Sequence, residues 1–313
     1  MRKLSIFIAA AALLVAAFSC KEDDETTTKP SLTGLTMTVA PSYVAVGEVL
    51  SFTVSVSNIT ATDETVDTGV IGVKWHLNSE DYLILADDIT GIETLSFTYC
   101  PQETGSYSIS CSAYTSNDSC YSTAVSTAFR VIDPDASISG LAGSPAGEGK
   151  YREVTIGSLT WMAENLHMTQ LGLPYNGCEV MNKVYGRYYT YQEALVACPE
   201  GWHLPTAAEW DSLGSDAGAL MADATFLDVP FWKYNKEVSI TNSTGFNALS
   251  VGYMDKTQPE GKVSGEKEYA AFWTVDNDGS SLAQYRYLFV TNSVVQKGMG
   301  DMTSLALSVR CVK

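Results

Sequence analysis

The sequence predicts two folded units of different class, an all-β module followed by a mixed α+β domain. Three observations predict this. Residues 34–133 alternate apolar and polar side chains with a period of two, as strands with one buried and one wet face do. Residues 134–150 carry Pro134, Gly140, Gly143, Pro145, Gly147 and Gly149 and read as a linker. From 151 to 313, two helix-start signals stand among short strands and long polar loops. With 45% hydrophobic and 18% charged residues, the composition is that of a folded protein. Nineteen Lys and Arg against 36 Asp and Glu exclude a nucleic-acid binder that works through a basic surface. Three His and seven Cys, none in a CxxC, argue against a structural zinc site.

Residues 1–20 read as a lipoprotein signal peptide. Arg2 and Lys3 precede an apolar run, Leu4 to Phe18, that is shorter than the roughly 20 residues of a membrane span. The run ends in Ala17-Phe18-Ser19-Cys20, which resembles a bacterial lipobox but has Ala17 where Leu is commoner. Cys20 is the expected lipidation site, with several acyl chains giving a stable membrane anchor. Cleavage there removes Arg2 and Lys3 and takes the net charge from −17 to −19. Residues 21–33 form an acidic, Thr-rich tether. Its first five residues, Lys21, Glu22, Asp23, Asp24 and Glu25, resemble the export signal of surface lipoproteins of Bacteroidetes-type bacteria. The expected location is therefore the bacterial outer membrane, facing the exterior. That compartment is oxidising and allows disulfides.

In the β-module, Leu50, Phe52, Val54 and Val56 alternate with Ser and Thr. Val73, Trp75 and Leu77 form a second apolar face, and Leu95, Phe97 and Tyr99 a third. Tyr107, Ile109, Cys111 and Ala113 alternate with serines, and Tyr121, Val125, Phe129 and Val131 close the set. Glu103-Thr104-Gly105-Ser106-Tyr107 resembles the turn and tyrosine corner of immunoglobulin-like and PKD-like domains, with Trp75 expected at the core. Such modules act mostly as stalks. Cys111 and Cys120 flank one loop and could bridge it, although their parity along the strand disagrees.

In the second domain, Thr190-x-x-Glu193 and Thr206-x-x-Glu209 fit the capping box and start two short helices, the first running from Tyr191 to Cys198. Strands are expected at Val154–Ile156, Thr160–Met162, Tyr285–Val290 and Leu305–Val312. Thr160-Trp161-Met162-Ala163-Glu164-Asn165-Leu166, Tyr185-Gly186-Arg187-Tyr188-Tyr189-Thr190, and Ala197 through Thr206 (A-C-P-E-G-W-H-L-P-T) follow one another in order. Thr244-Gly245-Phe246-Asn247-Ala248-Leu249, Phe272-Trp273-Thr274, Tyr285-Arg286-Tyr287-Leu288 and Ser308-Val309-Arg310-Cys311-Val312 continue them. This series resembles the Fibrobacter succinogenes major paralogous domain family. Leu204-Pro205-Thr206, Glu209-Trp210 and Arg310-Cys311-Val312 also resemble formylglycine-generating-type domains.

The resemblance implies a C-type-lectin-like fold in which the N- and C-terminal strands pair. It also implies a disulfide between Cys198 and Cys311. Relatives often carry two Cys before the Y-G-R segment. Here only Cys178 is present, which leaves an interdomain bridge to Cys100 as one arrangement. A copper-oxidase relative needs a thiol pair near the C-terminus, where only Cys311 stands.

No recognisable triad surrounds His203, so it reads as buried, hydrogen-bonded and structural. Glu209 is explained as a cap and Glu164 as a motif residue, which leaves no carboxylate pair for glycoside hydrolysis. Asp276 and Asp278 could hold Ca²⁺, but they lack a full EF-hand loop and read better as a turn. No other cofactor is implied. Trp232, Tyr234 and Tyr253 lie outside the tightest motifs and are the candidate ligand-facing aromatics; the alternative is that they cover the core. The sequence thus points to a non-enzymatic, surface-anchored lipoprotein that binds a glycan or a surface protein. The alternatives are a subunit of a fimbria-like or envelope assembly, and a degenerate formylglycine-generating-type enzyme.

Overall fold

The computed structural model describes residues 29–78, 85–143, 150–167, 170–257 and 262–313. The signal peptide, Cys20 and Lys21–Glu25 lie outside the described residues.

The alternating segments become a two-sheet sandwich. One sheet has three strands: β1 (Thr36–Met37), β3 (Leu50–Ser55) and β6 (Thr94–Tyr99), in the order β1-β3-β6. The other has five. They are β2 (Tyr43–Ala45), β4 (Ile71–Leu77), β5 (Leu85–Ala86), β7 (Gly105–Thr115) and β8 (Thr123–Ile132), in the order β2-β8-β7-β4-β5. Pairing is antiparallel except that β2 runs parallel to β8, with Tyr43 opposite Arg130. Leu50, Phe52 and Val54 point inward as the period-two pattern requires. Trp75 is 2% exposed and stacks on Phe97 at 5.5 Å between ring centres. The Tyr107 hydroxyl donates to the Glu103 carbonyl at 3.0 Å, which makes the tyrosine corner real. The module is an immunoglobulin-like sandwich, although Tyr121 is exposed rather than part of its inner face.

Cys111 and Cys120 are both buried and both free, so the expected bridge is not formed. Register explains it. Cys111 sits mid-strand opposite Trp75, whereas Cys120 donates its N–H to the Thr115 hydroxyl at the strand end. Four strand residues separate the two levels, about 13 Å, and a disulfide tolerates at most about 7 Å between Cα atoms. Cys100 and Cys178 are free as well.

The linker is better anchored than its composition suggests. Ser139 exchanges two backbone hydrogen bonds with Thr225, and Ala142 exchanges two with the Asn247 side chain. Ile138 and Leu141 pack on the second domain's core. Ile132, the last residue of β8, is 1% exposed within that same core. Residues 132–142 therefore strap the sandwich to its neighbour.

The second domain opens with a hairpin, β9 (Glu153–Ile156) and β10 (Leu159–Met162). The C-terminal segment pairs alongside it: Thr160 and Lys313 exchange backbone bonds, and Met162 donates to Cys311. Helices α1 (Tyr191–Ala197) and α2 (Ala207–Asp211) each start with a complete capping box, at Thr190/Glu193 and Thr206/Glu209. The main sheet contains β13 (Val251–Asp255), β14 (Lys262–Glu266), β15 (Tyr269–Asn277), β16 (Leu282–Phe289) and β17 (Asn292–Asp301), after a small hairpin of β11 (Thr225–Phe226) and β12 (Val229–Pro230). Its order is β14-β13-β15-β16-β17, with Leu305–Ala306 added on β13. The expected strand Leu305–Val312 is regular only over its first two residues, and the rest forms isolated bridges. Both units together are mostly β-sheet.

Candidate functional site

The sequence motifs of the second domain meet at one buried side chain. Arg310 is fully buried. Its Nε donates to Asn165 Oδ1 at 2.8 Å, and Nη1 donates to the carbonyls of Met162 (3.0 Å) and Phe246 (2.6 Å). Nη2 donates to the Asn247 carbonyl at 2.7 Å. The guanidinium also lies 4.7 Å from the centre of the Phe246 ring. Burial, opposed by Glu164, pushes its pKa down to about 9, so the cation persists at neutral pH. One residue thus ties three distant segments together. The disulfide Cys198–Cys311 closes beside it across 113 residues, with a Cα separation of 5.9 Å.

The outer face of the main sheet is different. Along β16, Tyr285, Tyr287 and Phe289 stand on one face, half-exposed, while Arg286 and Leu288 are buried on the other. Tyr269 and Tyr253 extend the row from β15 and β13. Ring centres lie 5.7 Å apart for Tyr285–Tyr287, 4.9 Å for Tyr269–Tyr287 and 5.5 Å for Tyr253–Tyr269. Between them is a groove of about 440 Å³, walled by Tyr253, Tyr269, Tyr285, Phe289, Leu305 and Leu307. Gly265 completes the lining. A Cβ on Gly298 would stand 2.3 Å from Cζ of Tyr285, so the ring lies across β17 only because residue 298 has no side chain. Among the described residues no charged side chain lines the groove. Burial and the neighbouring Tyr285 raise the pKa of Tyr269, which keeps its hydroxyl protonated. The arrangement offers ring faces and neutral hydroxyls, which suit stacking and hydrogen bonding.

Residues 154–313, just over half of the chain, match the model of the Fibrobacter succinogenes major domain. The chain belongs to this family. No curated protein matches it. The crystal structure of a CARDB domain from Pyrococcus furiosus, in complex with di-metal ions, is 17% identical; it covers 35% of this chain and 95% of that one, with a TM-score of 0.25. The solution structure of the same domain gives 16%, 33%, 95% and 0.23. Neither likeness bears on the chemistry of this chain.

Within this major-domain protein, the three aromatic candidates separate. Trp232 is 5% exposed, and its Nε1 donates to the Ala248 carbonyl at 3.0 Å, so it is a core residue. Tyr234 is 91% exposed and stacks on no other ring among the described residues. Tyr253 alone faces the groove. Its companions Tyr285, Tyr287 and Phe289 were legible as an aromatic at every second residue of one strand, a signal hidden by assigning that stretch to a core motif.

The weak Ca²⁺ pair does not converge. Asp276 accepts from the Ala207 N–H at the start of α2, and Asp278 accepts from Ser280 in its own turn. Among the described residues no group of three His, Cys, Asp or Glu side chains could hold a metal. His203 is half-exposed rather than buried, and its Nε2 lies 3.0 Å from Glu209 Oε1. Glu209 closes its capping box, and Glu164 accepts from the Arg152 N–H at 2.8 Å, so each carboxylate already serves the fold.

Proposed function

We propose that this protein is a non-enzymatic binding protein, held by a lipid on Cys20 at the outer face of the outer membrane. In this reading Lys21–Glu25 direct export, the sandwich is a stalk, and the major domain, with a C-type-lectin-like fold, is the recognition head. The observation that carries the reading is the tyrosine groove. Half-exposed rings held in fixed positions by a sheet are costly to leave in water and suit a ligand that stacks. A neutral glycan is the favoured ligand. Among the described residues the lining has no charge, and the net charge of −19 after cleavage repels acidic polymers. The pairing of the domain's terminal strands and the long loops between short elements support the lectin-like fold.

A glycan array probed with the purified mature chain, with and without Ca²⁺, tests the reading. Neutral glycans should give signal in both conditions, and Tyr285→Ala should abolish it while leaving the thermal midpoint within a few degrees. An array silent in both conditions would move the ligand to the protein class; a signal unchanged by Tyr285→Ala would remove the groove from the function.

A further inference from the structure

A second cavity, of about 300 Å³, lies where the two domains meet, away from the tyrosine groove. Its sandwich wall is one cross-strand pair. Tyr43 on β2 and Arg130 on β8 are in register, and both point out of the sandwich, since their neighbours Val44 and Val131 are buried in its core. The opposite wall comes from the head: Tyr175, Tyr185, Phe231, Glu266 and Lys267.

The charges in this cavity are unbalanced in a particular way. Glu266 is the carboxylate facing it, and it is already engaged by two phenols. Tyr175 donates to one oxygen at 2.9 Å and Tyr185 to the other at 2.7 Å, with their rings stacked 4.2 Å apart. Glu266 makes no ion pair with Arg130. Among the described residues the Arg130 side chain has no ion pair and no hydrogen-bond partner, in a chain with almost twice as many acids as bases. Lys267, exposed at the rim, adds a second cation.

The backbone at the rim is also strained. Leu227 (φ 50°) and Asp228 (φ 63°) are the two central residues of the β11–β12 turn, and Lys267 has φ 67°. Turns with both central residues left-handed ordinarily use Asn-Gly, and a leucine there is costly. Leu227 lines the cavity. Strain of this kind gathers where a ligand is held.

We infer that the interdomain cavity binds a small carboxylate carried on a single ring. Its carboxylate pairs with the Arg130 guanidinium, and its ring lies among Tyr43, Phe231 and Leu227. The volume is at the lower end for ligand sites and fits one ring rather than a polymer. A ligand held by residues of both domains also clamps the stalk to the head. Two sources share this chemistry, sugar acids and aromatic acids.

Titration calorimetry on the purified full chain distinguishes them, using glucuronate and benzoate as probes and glucose and benzyl alcohol as their neutral counterparts. At least one acid should bind saturably, and its neutral counterpart about 10- to 100-fold more weakly, the range expected for losing one charge-assisted pair. Arg130→Gln should weaken the acid by a similar factor while Tyr285→Ala leaves it unchanged, which separates this site from the groove. Binding by glucuronate alone identifies a sugar acid, and by benzoate alone an aromatic acid. Equal binding of acid and neutral probes, full binding by Arg130→Gln with an unchanged thermal midpoint, or no saturable binding by either acid overturns the inference.

Discussion

Replacing Arg310 by methionine tests the physical account of the major domain most directly. Methionine roughly keeps the volume but removes every donor. Four acceptors then lose their partner: Asn165 Oδ1 and the carbonyls of Met162, Phe246 and Asn247. Each buried acceptor left unmade costs about 1–3 kcal/mol. Loss of the contact with Phe246 adds about 1 kcal/mol. Against this, a buried charge need no longer be desolvated, which favours the variant by about 1–4 kcal/mol. The acceptors outweigh the charge because all four are backbone or amide oxygens that stay buried whatever stands at 310. With each acceptor taken at its lower bound of about 1 kcal/mol, the net loss is expected at about 3 kcal/mol or more. A lysine should recover little, since one ammonium cannot reach four acceptors that a planar fork spans. Urea unfolding without reductant measures the loss, followed by the fluorescence of Trp161 and Trp210, whose rings contact Phe246. Arg310→Met within about 1 kcal/mol of wild type, or Arg310→Lys indistinguishable from it, would refute the reasoning.

Other expectations concern the cysteines and the carboxylates. Besides Cys20, denatured but unreduced protein should titrate four thiols, Cys100, Cys111, Cys120 and Cys178. In the native state at pH 8 only Cys100 should react with an alkylating reagent, because the others are buried and burial pushes the Cys111 thiol up to about 12; rapid labelling of Cys111 would contradict its place in the core. Replacing Cys198 and Cys311 by serine should cost about 4–5 kcal/mol in the chain-entropy model for a loop of this size, read as a lowered urea midpoint. For Asp211, burial raises the pKa but is outweighed by bonds from Lys297 and Arg286, leaving it below the usual range. Its contribution is therefore complete above the unfolded value near 4 and is lost as pH falls through the folded one. Asp211→Asn should be less stable at pH 7, with a shallower decline between pH 5 and pH 2; equal slopes would show that Asp211 does not carry the effect.

The sandwich was open to reading because each of its strands has one wet face, so burial prints a period of two. The capping boxes were open for a related reason: Thr190/Glu193 and Thr206/Glu209 satisfy backbone groups within four residues of themselves. The main sheet of the head was not. Along β15, Ala270 through Thr274 are buried without a break, which erases alternation. Along β17, glycines at 298 and 300 and polar neighbours hide a strand whose glycines are needed to seat Tyr285 and Trp273. The tyrosine row fell between these two failures.

The sequence by itself determined the fold class of the first domain, both helix starts, the family of the second domain and, through that family, the Cys198–Cys311 pair. All but the family and the disulfide are statements about local satisfaction of backbone groups or about which face of a strand meets water. The tertiary structure alone decided that Cys111 and Cys120 stand too far apart along one hairpin, that Trp232 is core, and that Tyr253 shares a groove with residues as distant in the chain as Leu307. It alone set Arg130 and Tyr43 across a cavity from Glu266. These depend on register and on domain docking, distances between residues remote in the chain, which no local pattern encodes.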